Sequence, residues 1–207
     1  MKALIWDLDG TLIDSYEVIV SSIMEACRLY GLQMEREQVN EQIILHSVTF
    51  YLETLANSAG LPFDGMKARF DRIGAQRTAE IKAIPHAMEA LEALKWKGCR
   101  HFVYTHRGET TAAILKQIGL TGQFDEIVTS ENGFPRKPAP EAILYLLRKY
   151  GLDPNATFYV GDRTIDLDCA KNAGIQGILF LPQGSYCVPN GSQNHIVHDL
   201  MEIASIL

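Results

Sequence analysis

Cysteine is scarce in this 207-residue chain, with only Cys27, Cys99, Cys169 and Cys187. No two of them form a C-x-x-C pair. A disulfide framework or a thiolate metal site is therefore not the organising device, and reduced thiols in a cytoplasmic setting are expected. Positive charge is also short. Nineteen Lys and Arg stand against 25 Asp and Glu, a formal net charge of -6. No global field favours nucleic acid, although a local pocket can still bind a small anion. No apolar run approaches the ~20 residues that span a bilayer, so no membrane partner is expected. The amino terminus reaches aspartates too early for a secretory signal. Internal repeats, low-complexity segments, a nucleotide P-loop and a zinc signature are all missing. What remains is an ordinary globular composition, 47% hydrophobic and 21% charged, long enough for a sizeable core.

Against these absences stands the opening "MKALIWDLDGTLID". The apolar run Ala3 to Trp6 reads as a buried strand. It leads directly into Asp7 and Asp9, two carboxylates whose closeness is unfavourable unless a cation, a proton or a reaction needs them. From Ser15 to about Lys82 the pattern turns helical and shows no confident strand. "EVIVSSIMEACRLYG" and "REQVNEQIILHSVTFYLETLANSAG" both read as helical and stop at a glycine, and "DGMKARFDRIGAQRTAEIKAI" continues the theme, which predicts a small all-helical unit of three or four helices. After Pro85, helices and strands alternate. "HFVYT", "EIVTS", "TFYVGD" and "GILFL" read as strands. "VHDLMEIASIL" reads as a last helix. This alternation predicts an α/β class with a Rossmann-like, mostly parallel sheet, into which the helical block is inserted. The expected domains are residues 1–14 with 83–207, and residues 15–82.

Ligands of such a sheet bind beyond the carboxyl ends of its strands. The first strand ends at Asp7 and "HFVYT" ends at Thr105. "TFYVG" leads into Asp162, with Asp166 four residues on. Lys137 lies in the proline-stiffened "PRKPAPE". Four ionised carboxylates and one ammonium leave three negative charges, and a divalent cation reduces these to one. Magnesium suits such a hard-oxygen set. A carboxylate can attack a phosphoryl group to form an aspartyl-phosphate. A second carboxyl nearby can give a proton to the leaving group and later take one from water. Thr105 and Lys137 can hold the phosphoryl oxygens.

"DLDGTLID", "VYTHR", "RKPAPE" and "GDRTIDLDCAKNAG" together resemble the four motifs of the haloacid dehalogenase superfamily, closest to its phosphoglycolate-phosphatase-like branch. The resemblance implies Asp7 as nucleophile and Asp9 as general acid/base. It implies Thr105 and Lys137 as phosphate binders, and His106, beside them in the sequence, is a further candidate for contact with the substrate phosphate. It also implies Mg²⁺ held by Asp7, Asp9 (through its backbone carbonyl) and Asp162, with Asp166 at the family's last acidic position supporting the metal directly or through Lys137. The helical block corresponds to the family's inserted cap. The second motif commonly continues Ser/Thr with Asn, whereas His106 and Arg107 follow here.

The expected activity is a Mg²⁺-dependent phosphatase for a small phosphorylated metabolite, phosphoglycolate-like or a sugar phosphate, in a monomer or homodimer. A phosphomutase of the β-phosphoglucomutase type is the enzymatic alternative. A non-catalytic metabolite-binding or regulatory protein on the same fold is the alternative of another class.

Overall fold

A computed structural model describes all 207 residues. The chain divides into two compact units, residues 1–14 with 82–207 and residues 15–81. In the first unit, six strands form one sheet. They are β1 (Ala3–Trp6), β4 (Arg100–Tyr104), β5 (Glu126–Val128), β6 (Thr157–Gly161), β7 (Gln176–Phe180) and β8 (His195–Val197), in the order β5-β4-β1-β6-β7-β8. Every neighbouring pair is parallel. Sequence-distant strands become neighbours: Trp6 lies between Val103 and Val160. The carboxyl ends of β1, β4 and β6 are thereby aligned at the middle of the sheet.

Parallel pairing needs long crossovers, and α5 (Ala87–Trp96), α6 (Thr110–Gln117), α7 (Glu141–Tyr150) and α8 (Thr164–Asn172) supply them except between β7 and β8, which residues 181–194 join without a helix; a short α9 (Ile203–Ile206) ends the chain. α7 shows why they form. Ala142, Ile143, Leu146 and Leu147 recur at helical spacing and are buried, while Arg148 and Lys149 sit in the last turn, where cations oppose the helix dipole. Gly151, at φ 60°, ends it in a conformation that costs a side chain dearly. These residues pack with Ile5, Phe102, Tyr104 and Tyr159 of the sheet into one apolar cluster.

Two short segments, β2 (Ile13–Asp14) and β3 (Lys82–Ala83), pair antiparallel where the chain leaves the α/β unit and returns to it. Between them lie α1 (Tyr16–Arg28), α2 (Arg36–Leu45), α3 (Val48–Ala59) and α4 (Phe63–Gln76). Ile23, Val39, Ile43, Leu52, Ala56 and Met66 form the helical unit's own core. No helix is long and apolar enough to cross a membrane.

One reading of local pattern gains a boundary and another needs correction. The helical segment from Arg36 to Gly60 divides at His46–Ser47 into α2 and α3, which makes four helices of the expected three or four. Ser47 leaves helical geometry and its side chain accepts from the Phe50 N–H at 3.1 Å, capping α3. Val39 and Ile43 also bury a face that continuation would carry to His46, Ser47 and exposed Phe50. The break rephases the chain so that Tyr51, Leu52 and Ala56 are buried instead. The terminal segment, read as a last helix, is not one. His195–Val197 pairs with β7, Asp199 caps a 3-10 turn at Leu200–Glu202, and only Ile203–Ile206 is α-helical. Three residues at a sheet edge are too few for alternation to show.

Candidate active site

Asp7 follows the last residue of β1, and its N–H donates to the Val160 carbonyl at 2.8 Å. The backbone there still belongs to the sheet, so the carboxylate is held at the strand end. Asp162 follows Gly161 at the end of β6. Asp166 lies in the first turn of α8 and accepts from the Arg163 N–H at 3.2 Å. A side chain at Gly161 would place its Cβ 2.4 Å from the Asp166 Cβ, so glycine is what lets this carboxylate fold back against the strand. Carboxylate oxygens of Asp7, Asp162 and Asp166 all lie within 4.8 Å of one another, and all three residues are buried.

Lys137 enters this cluster from the loop before α7. Its Nζ donates to Asp7 at 2.5 Å and to Asp166 at 2.7 Å, with 1% of its side chain exposed. It also lies 5.0 Å from the Tyr104 ring centroid and 5.1 Å from that of Tyr159, a dry seat for a cation between two π faces. Burial depresses a lysine's pKa, but the two carboxylates outweigh it and the ammonium is held charged. Burial pushes the Asp7 carboxyl up to about 6, against the pull of Lys137 and with help from the charge on Asp166. Thr11 Oγ1 donates to Asp162 at 3.4 Å.

One lysine does not balance three buried carboxylates. Asp7 Oδ2 is buried and takes no hydrogen bond. An orphaned oxygen in a buried cluster of three carboxylates is the environment a hard divalent cation relieves. The donor set, oxygen throughout, fits Mg²⁺ and does not suit a soft metal.

Residues 4–180 match the family of haloacid dehalogenase-like hydrolases. The chain belongs to that family. This hydrolase is similar to a phosphoglycolate phosphatase of Rhodobacter capsulatus, with 34% identity over 86% of this chain and 83% of the relative. It is 27% identical to the pyrophosphatase PpaX of Bacillus velezensis, over 100% of this chain and 96% of that one. Among solved structures, a predicted phosphoglycolate phosphatase from Haemophilus somnus superposes with a TM-score of 0.87 at 26% identity, covering 100% and 97% of the two chains.

The hydrolase's remaining site residues are arranged less simply. The Asp9 carboxylate is not part of the buried cluster. It faces Arg107, whose Nε donates to both of its oxygens at 3.1 Å and whose Nη2 donates to Oδ1. Thr105 is buried at the end of β4, and its Oγ1 accepts from the Arg107 N–H at 3.1 Å, which leaves its own proton to donate. The His106 ring is turned to the lysine loop, and its Nε2 accepts the Lys137 backbone N–H at 3.0 Å. Burial, followed by the charges of Lys137, Arg136 and Arg163, lowers its pKa to about 2. The imidazole is therefore neutral, with its proton on Nδ1, and cannot give the site a pH dependence near neutrality. Tyr104 completes the brace, its hydroxyl donating to the Pro135 carbonyl at 3.1 Å.

Tyr104 and Tyr159 were not legible as site residues. Each is the last or middle residue of an apolar strand and reads as plain core. Arg107 was visible only as a departure from the family's second motif.

Proposed function

We propose that this hydrolase is a Mg²⁺-dependent phosphatase that cleaves a small phosphorylated metabolite through an aspartyl-phosphate on Asp7. It is a phosphoric monoester hydrolase. The observation that carries the reading is the Lys137 ammonium joined to Asp7 and Asp166 beside Asp162, at the end of the central strand. An ammonium paired with the attacking carboxylate can also bind the phosphoryl oxygens that arrive there, and it costs no reorganisation during reaction.

In this reading an Asp7 oxygen attacks phosphorus as the bond to the leaving oxygen breaks. Asp9 gives that oxygen its proton. Water then attacks the aspartyl-phosphate, Asp9 takes the water's proton, and inorganic phosphate leaves. The Thr105 hydroxyl and Lys137 hold the non-bridging oxygens throughout. His106 and Tyr104 fix the loop that carries Lys137 and do not touch phosphate through the groups already engaged. Asp7, Asp162, Asp166 and the Asp9 carbonyl would hold Mg²⁺, which supplies charge neutralisation for the phosphoryl oxygens when bound. The helical unit, residues 15–81, is proposed as the cap that selects the leaving group. The relatives' names, a phosphoglycolate phosphatase and a pyrophosphatase, support a small anionic substrate.

Phosphate release over a panel of small phosphorylated metabolites, with Mg²⁺ and with excess chelator, tests this. Asp7→Asn is expected to abolish release while the protein still folds, because an amide is a very poor nucleophile. Substantial turnover by the purified variant, or full activity of the native enzyme in chelator, would overturn the corresponding part of the reading.

A further inference from the structure

The tripeptide Thr105-His106-Arg107 closes a tight turn directly after β4, pinned by the Thr105 hydroxyl on the Arg107 N–H. That turn brings the guanidinium back towards the end of β1. Its two edges have different partners. Nη1 donates to Thr110 Oγ1 at 3.2 Å, at the first residue of α6. Nε and Nη2 engage the Asp9 carboxylate. Both side chains are partly shielded, at 16% and 23% exposure. The guanidinium is thus anchored on a helix and grips a carboxylate 98 residues away in sequence.

Asp9 needs such a grip. Unlike Asp7, it lies beyond the sheet, in a turn where Gly10, at φ 80°, donates its N–H to the Ile13 carbonyl at 2.8 Å. That turn fixes its backbone and leaves its side-chain torsions to be set by neighbours. A planar fork that contacts both carboxylate oxygens fixes the plane of the group as well as its distance, which an ammonium cannot do. A carboxylate offers roughly four acceptor positions, so three N–H contacts do not exhaust it. General acid/base transfer depends on that orientation, because a small misplacement lengthens the proton's path in the transition state.

We infer that Arg107 is a positioning residue that aims the Asp9 carboxylate for proton transfer, and that its place in the second motif is explained by this contact and not by contact with substrate. The inference rests on the acid/base role proposed for Asp9. The rival reading is that Arg107 binds an anionic group of the substrate directly.

A double-mutant cycle with Asp9→Asn, Arg107→Gln and the pair separates them, assayed on an alkyl phosphate and on an aryl phosphate whose leaving group needs little protonation. Circular dichroism and thermal melts confirm that each variant is folded. Arg107→Gln is expected to lower kcat on the alkyl phosphate by ~10- to 100-fold, with a smaller loss on the aryl phosphate and little change in KM. In the Asp9→Asn background the same substitution should cost almost nothing, because there is no proton transfer left to aim. Arg107→Lys, which keeps charge but loses the fork, should recover only part of the alkyl turnover.

Equal losses on both substrates, a rise in KM alone, or a full effect persisting in the Asp9→Asn background would overturn the inference and assign Arg107 to substrate. If Asp9→Asn by itself leaves the alkyl-to-aryl ratio unchanged, the acid/base reading fails first, and the inference with it.

Discussion

The two units of this chain build their interiors from different materials. The helical unit, residues 15–81, buries no charged side chain. Its interior is aliphatic and aromatic, and Ser15 and Ser22 are its only buried polar residues. The α/β unit buries Asp7, Lys137, Asp162 and Asp166, together with His101. Burying a charge is costly unless it is paired, and leaving one unpaired costs more than the pair gains. A fold does not need that arrangement for stability. The asymmetry teaches where the chemistry lies: one unit has an interior that packing explains, and the other carries a charged cluster that packing does not.

The sharpest way to break this comparison is to remove the cation. Lys137→Met would leave Asp7 and Asp166 buried without their partner. A loss of roughly 3–5 kcal/mol in unfolding free energy is expected at pH 8, together with loss of turnover. The deficit should shrink towards pH 5. Burial already raises the Asp7 pKa to about 6, and removing the ammonium takes away what holds it down, so Asp7 becomes neutral as pH falls. Urea titrations at both pH values measure this. A variant as stable as the parent at pH 8 would show that the cluster is not electrostatically coupled.

A substitution in the other interior should behave as simple packing. Leu52 is fully buried in the helical unit. Leu52→Ala is expected to cost about 2–5 kcal/mol from lost transfer energy and cavity. That cost should be independent of pH between 5 and 8, and turnover of an aryl phosphate by the folded enzyme should not change. A pH-dependent cost would mean that the helical interior holds a titrating group after all.

The smallest effect sharpens the comparison inside the α/β unit. His101 is buried on β4, and its Nδ1 accepts the Trp6 indole N–H at 3.1 Å. Burial lowers its pKa from 6.5 to about 4. The unfolded chain therefore binds a proton near pH 6.5 that the folded chain refuses until about pH 4. Stability is complete above the unfolded value and falls as pH drops through this window, by at most about 3 kcal/mol. His101→Asn keeps an acceptor for Trp6 and should flatten this part of the profile. If the slope between pH 6.5 and 4 survives in that variant, it belongs to other groups.

Much of the fold could be read from local pattern. Alternating apolar strands and amphipathic helices gave the parallel sheet, and glycines marked the ends of α3 and α7, because both signals act over a few residues. The strand ends also named Asp7, Thr105 and Asp162 as candidates, since side chains there face the rim where such sheets bind ligands. Where pattern failed, the signal was too short, as in the three residues of β8; where it left a boundary open, its phase slipped, as at the break at His46–Ser47.

What only the tertiary structure decided is how the charges pair. Lys137 reaches Asp7 across 130 residues and Arg107 reaches Asp9 across 98. The His106 ring accepts a backbone N–H from a loop 31 residues on, a role that residue type alone does not announce. Periodicity records which face of an element is buried. It carries no record of which distant group will be there, because that depends on strand order and register, and these emerge only when the whole sheet has formed.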